Sequence, residues 1–210
     1  MGIPTVSDRI AQQVVKSYLE PKVEGSFHES SYGYRPNRNA HQALEEARNR
    51  CRAYGWVIDL DIRGFFDNID HTLMMRAVKR YTKEKWILIY IERWLKAGIM
   101  EGGHIKSRDK GTPQGGVISP LLANIYLHFA FDMWMKKNYP TIPFERYCDD
   151  VIVHCWSEKQ ARFIKDKLSE RMKECKLEMN EDKTQMVYCK NQIHTEKHKR
   201  ISFTFLGYTF

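Results

Sequence analysis

Several absences narrow the class of this chain. No apolar run approaches the roughly 18 residues that a membrane-crossing helix needs, and no secretory signal pattern opens it. Met1-Gly2 does not begin a myristoylation signal, because Val6 stands where Ser or Thr is required. The five cysteines, Cys51, Cys148, Cys155, Cys175 and Cys189, form no CxxC pair and no zinc spacing. An odd, scattered set predicts free thiols in a reducing cytosol, not a disulfide framework. Internal repeats and low-complexity linkers are also missing. Acidic side chains are the scarcer charge, 26 against 34 basic ones, so the chain carries +8 at a pI near 9.2. The expectation is a cytoplasmic globular protein whose charge suits a polyanionic partner such as nucleic acid. With 210 residues and 42% hydrophobic content, it can form one sizeable domain or two small subdomains around a real core.

Periodicity and punctuation predict the elements. A helix over 7–19, capped by Ser7 or Asp8, would use Ile10, Val14 and Tyr18 as its apolar stripe and stop at Pro21. A Gly/Pro/Asn/Ser-rich connector over 25–38 leads to a helix over 39–53 and a strand over 56–61 buried on both faces. Asp70 caps a helix to Tyr81, and another runs over 84–97. The glycine- and charge-rich 102–112 segment reads as a hairpin or loop. Pro120 suits the first turn of a long apolar helix over 119–137. A hairpin over 144–155 follows. Ser157 with Gln160 forms a capping box before a helix whose buried face is Ala161, Ile164, Leu168 and Met172. Strands are expected over 186–190 and 201–210. This order predicts an α+β fold, helices packed on a small antiparallel sheet. The chain stops on Gly207-Tyr208-Thr209-Phe210, apolar and mid-pattern, as at a fragment boundary.

The chemistry concentrates in three runs. Tyr147-Cys148-Asp149-Asp150 lies between two apolar stretches, so a hairpin turn carries two adjacent carboxylates. Like charges raise each other's pKa, and a divalent cation relieves them; such cations commonly serve phosphoryl transfer. Upstream, strand alternation puts Asp59 and Asp61 on one face, with Asp61 at the strand's end. A single aspartate there reads more simply as a solvated strand end or a helix cap; a second carboxylate pair on a neighbouring strand reverses that balance. Gly115 and Gly116 precede a helix, where backbone and an anionic substrate can approach closely. Other candidates read as structural. Asp67 and Asp70 serve as helix caps, and His104 and His154 as surface or packing residues. Trp86, Trp94, Trp134 and Phe129 belong to the core, and 197–200 is a solvated basic loop.

The order of these motifs resembles the reverse transcriptases: Asp61 with Phe65-Phe66, then Pro113-Gln114-Gly115-Gly116 with Ser119-Pro120, then Tyr147-x-Asp149-Asp150. The runs over 2–9, 31–36 with Ala40-His41, 114–122, Asn180-x-x-Lys183-Thr184 and 205–208 resemble the group II intron-encoded type, the reverse transcriptase–maturases. The resemblance implies a right-hand polymerase palm (about 56–71 and 116–210). Partial helical fingers or a fingers/palm junction would occupy about 1–55 and 72–115. A thumb would be absent, and primer extension by this fragment weak. It implies that Asp61, Asp149 and Asp150 hold two Mg²⁺ ions, with Ile62 among the metal and nucleotide contacts. Phe66, or its neighbour Phe65, matches the steric gate against a ribose 2′-OH. Gln114 and Gly115 would meet the incoming nucleotide or template base, and Tyr147 the primer end. Phe205, Leu206, Gly207 and Tyr208 would grip the primer. Lys183 resembles a proton donor to pyrophosphate, and Arg35 a template-phosphate contact or else a structural salt bridge. The implied partners are an RNA template, a DNA primer, dNTPs and a group II intron RNA, with dimerisation left open. Cys148 departs from the alanine common at that position. Alternative readings are an RNA-binding splicing cofactor, or a defence, retron or diversity-generating reverse transcriptase.

Overall fold

A computed structural model describes residues 4–101, 104–106, 108–113, 115–190 and 194–210. Helix α1 (Val6–Glu24) starts from Thr5, whose hydroxyl accepts the Asp8 amide at 3.2 Å, so neither Ser7 nor Asp8 is the cap. Pro21 does not stop it. Near the helix end a proline removes only one hydrogen bond, and the wholly buried Leu19 and Val23 hold the last turns in place. The buried stripe also differs from the expected one. Gln12, Val15, Leu19 and Val23 face inward, while Ile10 and Val14 are exposed. The orientation is set by contact with the loop that precedes Ser119, where Gln12 accepts the Ile118 amide. Sequence periodicity alone does not register that contact.

Helix α2 (Ala40–Ala53) opens with a reciprocal capping box between Asn39 and Gln42. Strand β1 (Trp56–Leu60) leads to a single turn, α3 (Phe65–Asn68), then α4 (His71–Val78) and α5 (Lys85–Lys96). Asp70 caps α4 through the Leu73 amide at 2.8 Å. The 102–112 segment belongs in part to a hairpin of β2 (Ile99–Glu101) and β3 (His104–Lys106). The expected long helix is interrupted: α6 (Ser119–Leu127) passes through a π-helical stretch, His128–Asp132, into α7 (Met133–Asn138). The bulge carries a wholly buried Asp132, whose partner lies elsewhere in the chain. Strands β4 (Phe144–Tyr147) and β5 (Asp150–Cys155) form the expected hairpin. In α8 (Glu158–Glu174), Ser157 accepts the Gln160 amide, but Gln160 accepts the Trp156 amide, one residue before the cap. Strand β6 (Gln185–Tyr188) follows. The segment expected as one strand over 201–210 folds back on itself as β7 (Thr204–Phe205) and β8 (Tyr208–Thr209). Leu206 and Gly207, both at positive φ, make the two-residue turn.

The main sheet has the order β4-β5-β1-β6, every pair antiparallel. Trp56, Ile58, Leu60, Val151, Val153 and Cys155 point to the face packed with α6 and α8. Val57, Ile152 and Val187 point to the other, where Ala43 and Ala47 let α2 approach closely and Phe203 and Phe205 close the layer. Central β1 is therefore buried on both faces, and Asp59 and Asp150 lie on this second face toward the end where Asp61 follows β1. Among the described residues no helix is long and apolar enough to cross a membrane.

Candidate active site

Asp61 follows the end of β1, and the 178–184 segment clamps its backbone. The Asp61 carbonyl accepts the Asn180 amide at 2.8 Å, its amide donates to Thr184 Oγ1 at 3.2 Å, and the Arg63 amide donates to the Glu178 carbonyl. Thr184 is buried, and its own amide closes the turn onto the Asn180 carbonyl at 2.8 Å. Lys183 rides on this turn, exposed to solvent. Ile62 pairs with Met179 through its neighbours' hydrogen bonds, so its side chain enters the core and its carbonyl takes no backbone hydrogen bond among the described residues. Any metal or nucleotide contact it makes is through that backbone.

Tyr147 pairs with Asp150, and Cys148-Asp149 forms the two-residue turn between them, with Cys148 at φ 59°. A residue with a Cβ rarely adopts that conformation, so the surroundings must hold it. Two features do. Gly33 lies directly against the turn: a Cβ there would sit 2.5 Å from the Cys148 nitrogen. Beneath it lies Arg146, wholly buried, with every nitrogen of its guanidinium engaged. Nε and Nη2 fork onto Asp132 at 2.7 and 2.6 Å, Nη1 donates to Asn124 and to the Cys148 carbonyl, both at 2.9 Å, and Nη2 also reaches Ser31. Burial alone would push the Asp132 carboxyl up; Arg146 outweighs it and holds the group below the usual carboxylate range. Asn124 also donates to the Gly33 carbonyl at 2.7 Å, joining the two supports. Sequence reasoning missed this scaffold, whose members lie scattered over 31–146. A glycine inside the 31–36 run was its only visible trace.

The carboxylates crowd one another. Burial, followed by Asp150 and Asp61, pushes Asp59 up to about 6, and burial, then Asp149 and Asp61, raises Asp150. Among the described residues no ion pair or side-chain hydrogen bond neutralises Asp59, Asp61 or Asp150. No three carboxylate, imidazole or thiolate groups there form a ready-made cation cage. The donor set nonetheless fits a hard divalent cation: oxygen ligands only, and mutually repelling. An expected result follows. The raised Asp59 value means that the unfolded chain releases this proton first as pH rises, so stability falls between about pH 4 and pH 6. In calorimetry without divalent cations, wild type should gain thermal stability on acidification through that window relative to Asp59→Asn. Mg²⁺ added at pH 7 should raise the wild-type midpoint and shrink the difference. Identical curves with and without Mg²⁺ would remove the case for a cation here.

Phe65 and Phe66 separate clearly. Phe65 is buried against Phe66 and Tyr126 as a core residue, whereas Phe66 is only half-buried at the core's edge. Thr112 donates to the Phe66 carbonyl at 2.7 Å, and Gly111, at φ 83°, passes so close that a Cβ would meet the Asp67 carbonyl. The glycine loop is thereby laid beside Phe66, with Gly115 exposed at φ 95°. Gln114 lies outside the described residues.

Of the two readings of Arg35, the structure shows the salt bridge: its side chain is 5% exposed, paired with Glu24 and donating to the His28 and Ser31 carbonyls, a strut of the connector. Phe205 is likewise buried in the second core; of the expected primer-grip run, Leu206, Gly207 and Tyr208 form the accessible turn. His154 is a packing residue, buried with Nε2 2.5 Å from Glu145, which Arg50 also pairs.

A family model described as "Reverse transcriptase (RNA-dependent DNA polymerase)" matches residues 1–210. The chain is 31% identical to Protein YkfC of Escherichia coli, over 99% of its own length and 62% of that protein's. It is 39% identical to the group II intron-encoded protein LtrA of Lactococcus lactis, over 65% of its own length and 23% of that protein's. Among solved structures, telomerase from Candida albicans in complex with a TWJ fragment of telomeric RNA superposes with TM-score 0.68. That match covers 93% of this chain and 36% of telomerase, and at 15% identity it is a likeness of fold. The chain spans less than two thirds of the length of each of these proteins.

Proposed function

Since the chain belongs to the reverse transcriptase family, we propose that it carries the nucleotidyl-transfer site of an RNA-directed DNA polymerase of the group II intron type. One observation supports this most: Asp150 is raised, after burial, by the charges of Asp149 and Asp61, so the three carboxylates crowd together where β1 and the β4–β5 hairpin end. Residues 56–71 and 116–210 form the palm; 1–55 and 72–115 belong to the fingers or their junction with it. Two Mg²⁺ ions held by the three aspartates and the Ile62 carbonyl would acidify the primer 3′-hydroxyl and neutralise the triphosphate. The chain's own residues do the rest. Phe66 excludes a ribose 2′-OH, while Gly115 and Gln114 let the nucleotide lie against the backbone. Tyr147 supports the primer end, the turn at Leu206 and Gly207 with Tyr208 contacts the primer strand, and Lys183 supplies a proton to the leaving pyrophosphate. The likeness to an intron-encoded protein adds group II intron RNA as a second partner.

The test is extension of a DNA primer on an RNA template with dNTPs and Mg²⁺, repeated with rNTPs. Wild type should extend with dNTPs and reject rNTPs. Phe66→Val should lower the ratio of dNTP to rNTP kcat/KM by about tenfold to a hundredfold, the range that a lost steric contact in a pocket commonly commands. Unchanged discrimination would take Phe66 out of the sugar pocket, and no templated dNTP incorporation at all would sink the polymerase reading.

A further inference from the structure

Tyr34 is placed by its neighbours with unusual insistence. The Arg146 amide donates to the Ser30 carbonyl at 2.9 Å, and the Tyr32 amide donates back to the Arg146 carbonyl at 2.8 Å. Gly33 is pressed against the aspartate turn, and its carbonyl is held by Asn124. The next residue, Tyr34, emerges at φ 54°, a left-handed conformation that disfavours any Cβ-bearing residue and that glycine adopts freely. Burial does not compensate for it, because the side chain is 57% exposed. The ring stands 6.0 Å from that of Tyr147, inclined at 49°. Its phenol is pushed up by partial burial first, then by Cys148, Tyr147, Asp149 and Asp150, so it lies in the field of the acidic turn. Strained backbone of this kind clusters at functional sites, and here it carries an exposed aromatic ring beside an acidic turn.

We infer that Tyr34 and Tyr147 form an aromatic corner that holds the terminal base of the strand being extended. A nucleobase offers a π-face whatever its identity, so stacking suits a site that must accept every terminus. This inference rests on the polymerase reading above and adds a residue to it.

The test uses a primer–template whose 3′-terminal base is 2-aminopurine, a fluorescent base that responds to stacking without turnover. Wild type and Tyr34→Phe should change its emission on binding and extend with similar kcat/KM. Tyr34→Gly and Tyr34→Leu should lose the emission change and raise the KM for primer–template by about tenfold to a hundredfold, the range of one lost base stack. The Gly variant relieves the backbone, so its thermal midpoint should hold or rise. The Leu variant keeps a bulky cover over Tyr147, which separates packing from stacking. Wild-type emission and KM in both variants would overturn the inference while leaving the polymerase reading intact. Failure of wild type to extend, alongside an equally inactive Asp149→Ala/Asp150→Ala protein, would instead remove the polymerase reading.

Discussion

Replacing Asp149 and Asp150 together by alanine should reduce RNA-templated primer extension by at least about a thousandfold. It should leave the thermal midpoint unchanged or raised. Charge stabilisation of a transferring phosphoryl group by bound cations is a matter of several kcal/mol, and each 1.4 kcal/mol is tenfold in rate. The stability half of the expectation follows from the crowding. Asp150 is raised by Asp149 and Asp61 after burial, and Asp59 by Asp150 and Asp61, so deleting two carboxylates relieves repulsion. Both residues sit at the turn end of the β4–β5 hairpin, away from the packed ends of the strands. Circular dichroism and calorimetry beside the extension assay would read the two halves separately. Extension at the wild-type rate would refute the metal assignment. A collapsed midpoint with lost activity would make the pair structural.

Arg146→Ala should be the most damaging single change to the fold, costing about 3–5 kcal/mol. For a chain of this size that is a midpoint lowered by about 6–20 °C. The substitution strands the Asp132 carboxylate, wholly buried and left with only the His128 imidazole nearby, at 3.8 Å. It also leaves Asn124 Oδ1, the Ser31 hydroxyl and the Cys148 carbonyl without their donor. Lysine should not rescue it, because an ammonium cannot reproduce the fork onto both Asp132 oxygens while reaching three further acceptors. Removing both charges, as in Arg146→Met with Asp132→Leu, should restore much of the stability, since an apolar pair of similar size is often as stable as a buried ion pair. Extension should stay impaired even so, because the strained Cys148 turn has lost its support. A double variant as active as wild type would show that the turn holds itself.

The candidate site's aspartates were legible because their signal is local. Two adjacent aspartates between apolar runs announce a hairpin turn, and alternation along 57–61 puts Asp59 and Asp61 on one face. The α+β order was legible for the same reason, as was the helix capping by Asp70 and Ser157. Errors arose where a distant contact decides. Val14 and Val15 are equally apolar, and only the docking of α1 on the 116–118 loop turns Val15 inward. Phe65 and Phe66 cannot be told apart in the sequence; the core around Tyr126 takes one and leaves the other at its edge. Arg35 and Lys183 read alike as basic residues near motifs, yet one is spent on Glu24 and the other is free at the surface.

By itself the sequence determined the proposed site's carboxylates, the class of fold and the family, because those depend on residue types at short, fixed spacings. Tertiary structure alone decided which side chains are available to a substrate and what holds the acidic turn in a conformation that its own residues disfavour. The physical reason is range. Propensity, alternation and like-charge repulsion act between neighbours in the chain, whereas the Arg146–Asp132 pair, the pressure of Gly33 on Cys148 and the clamp on Asp61 join residues that only folding brings together.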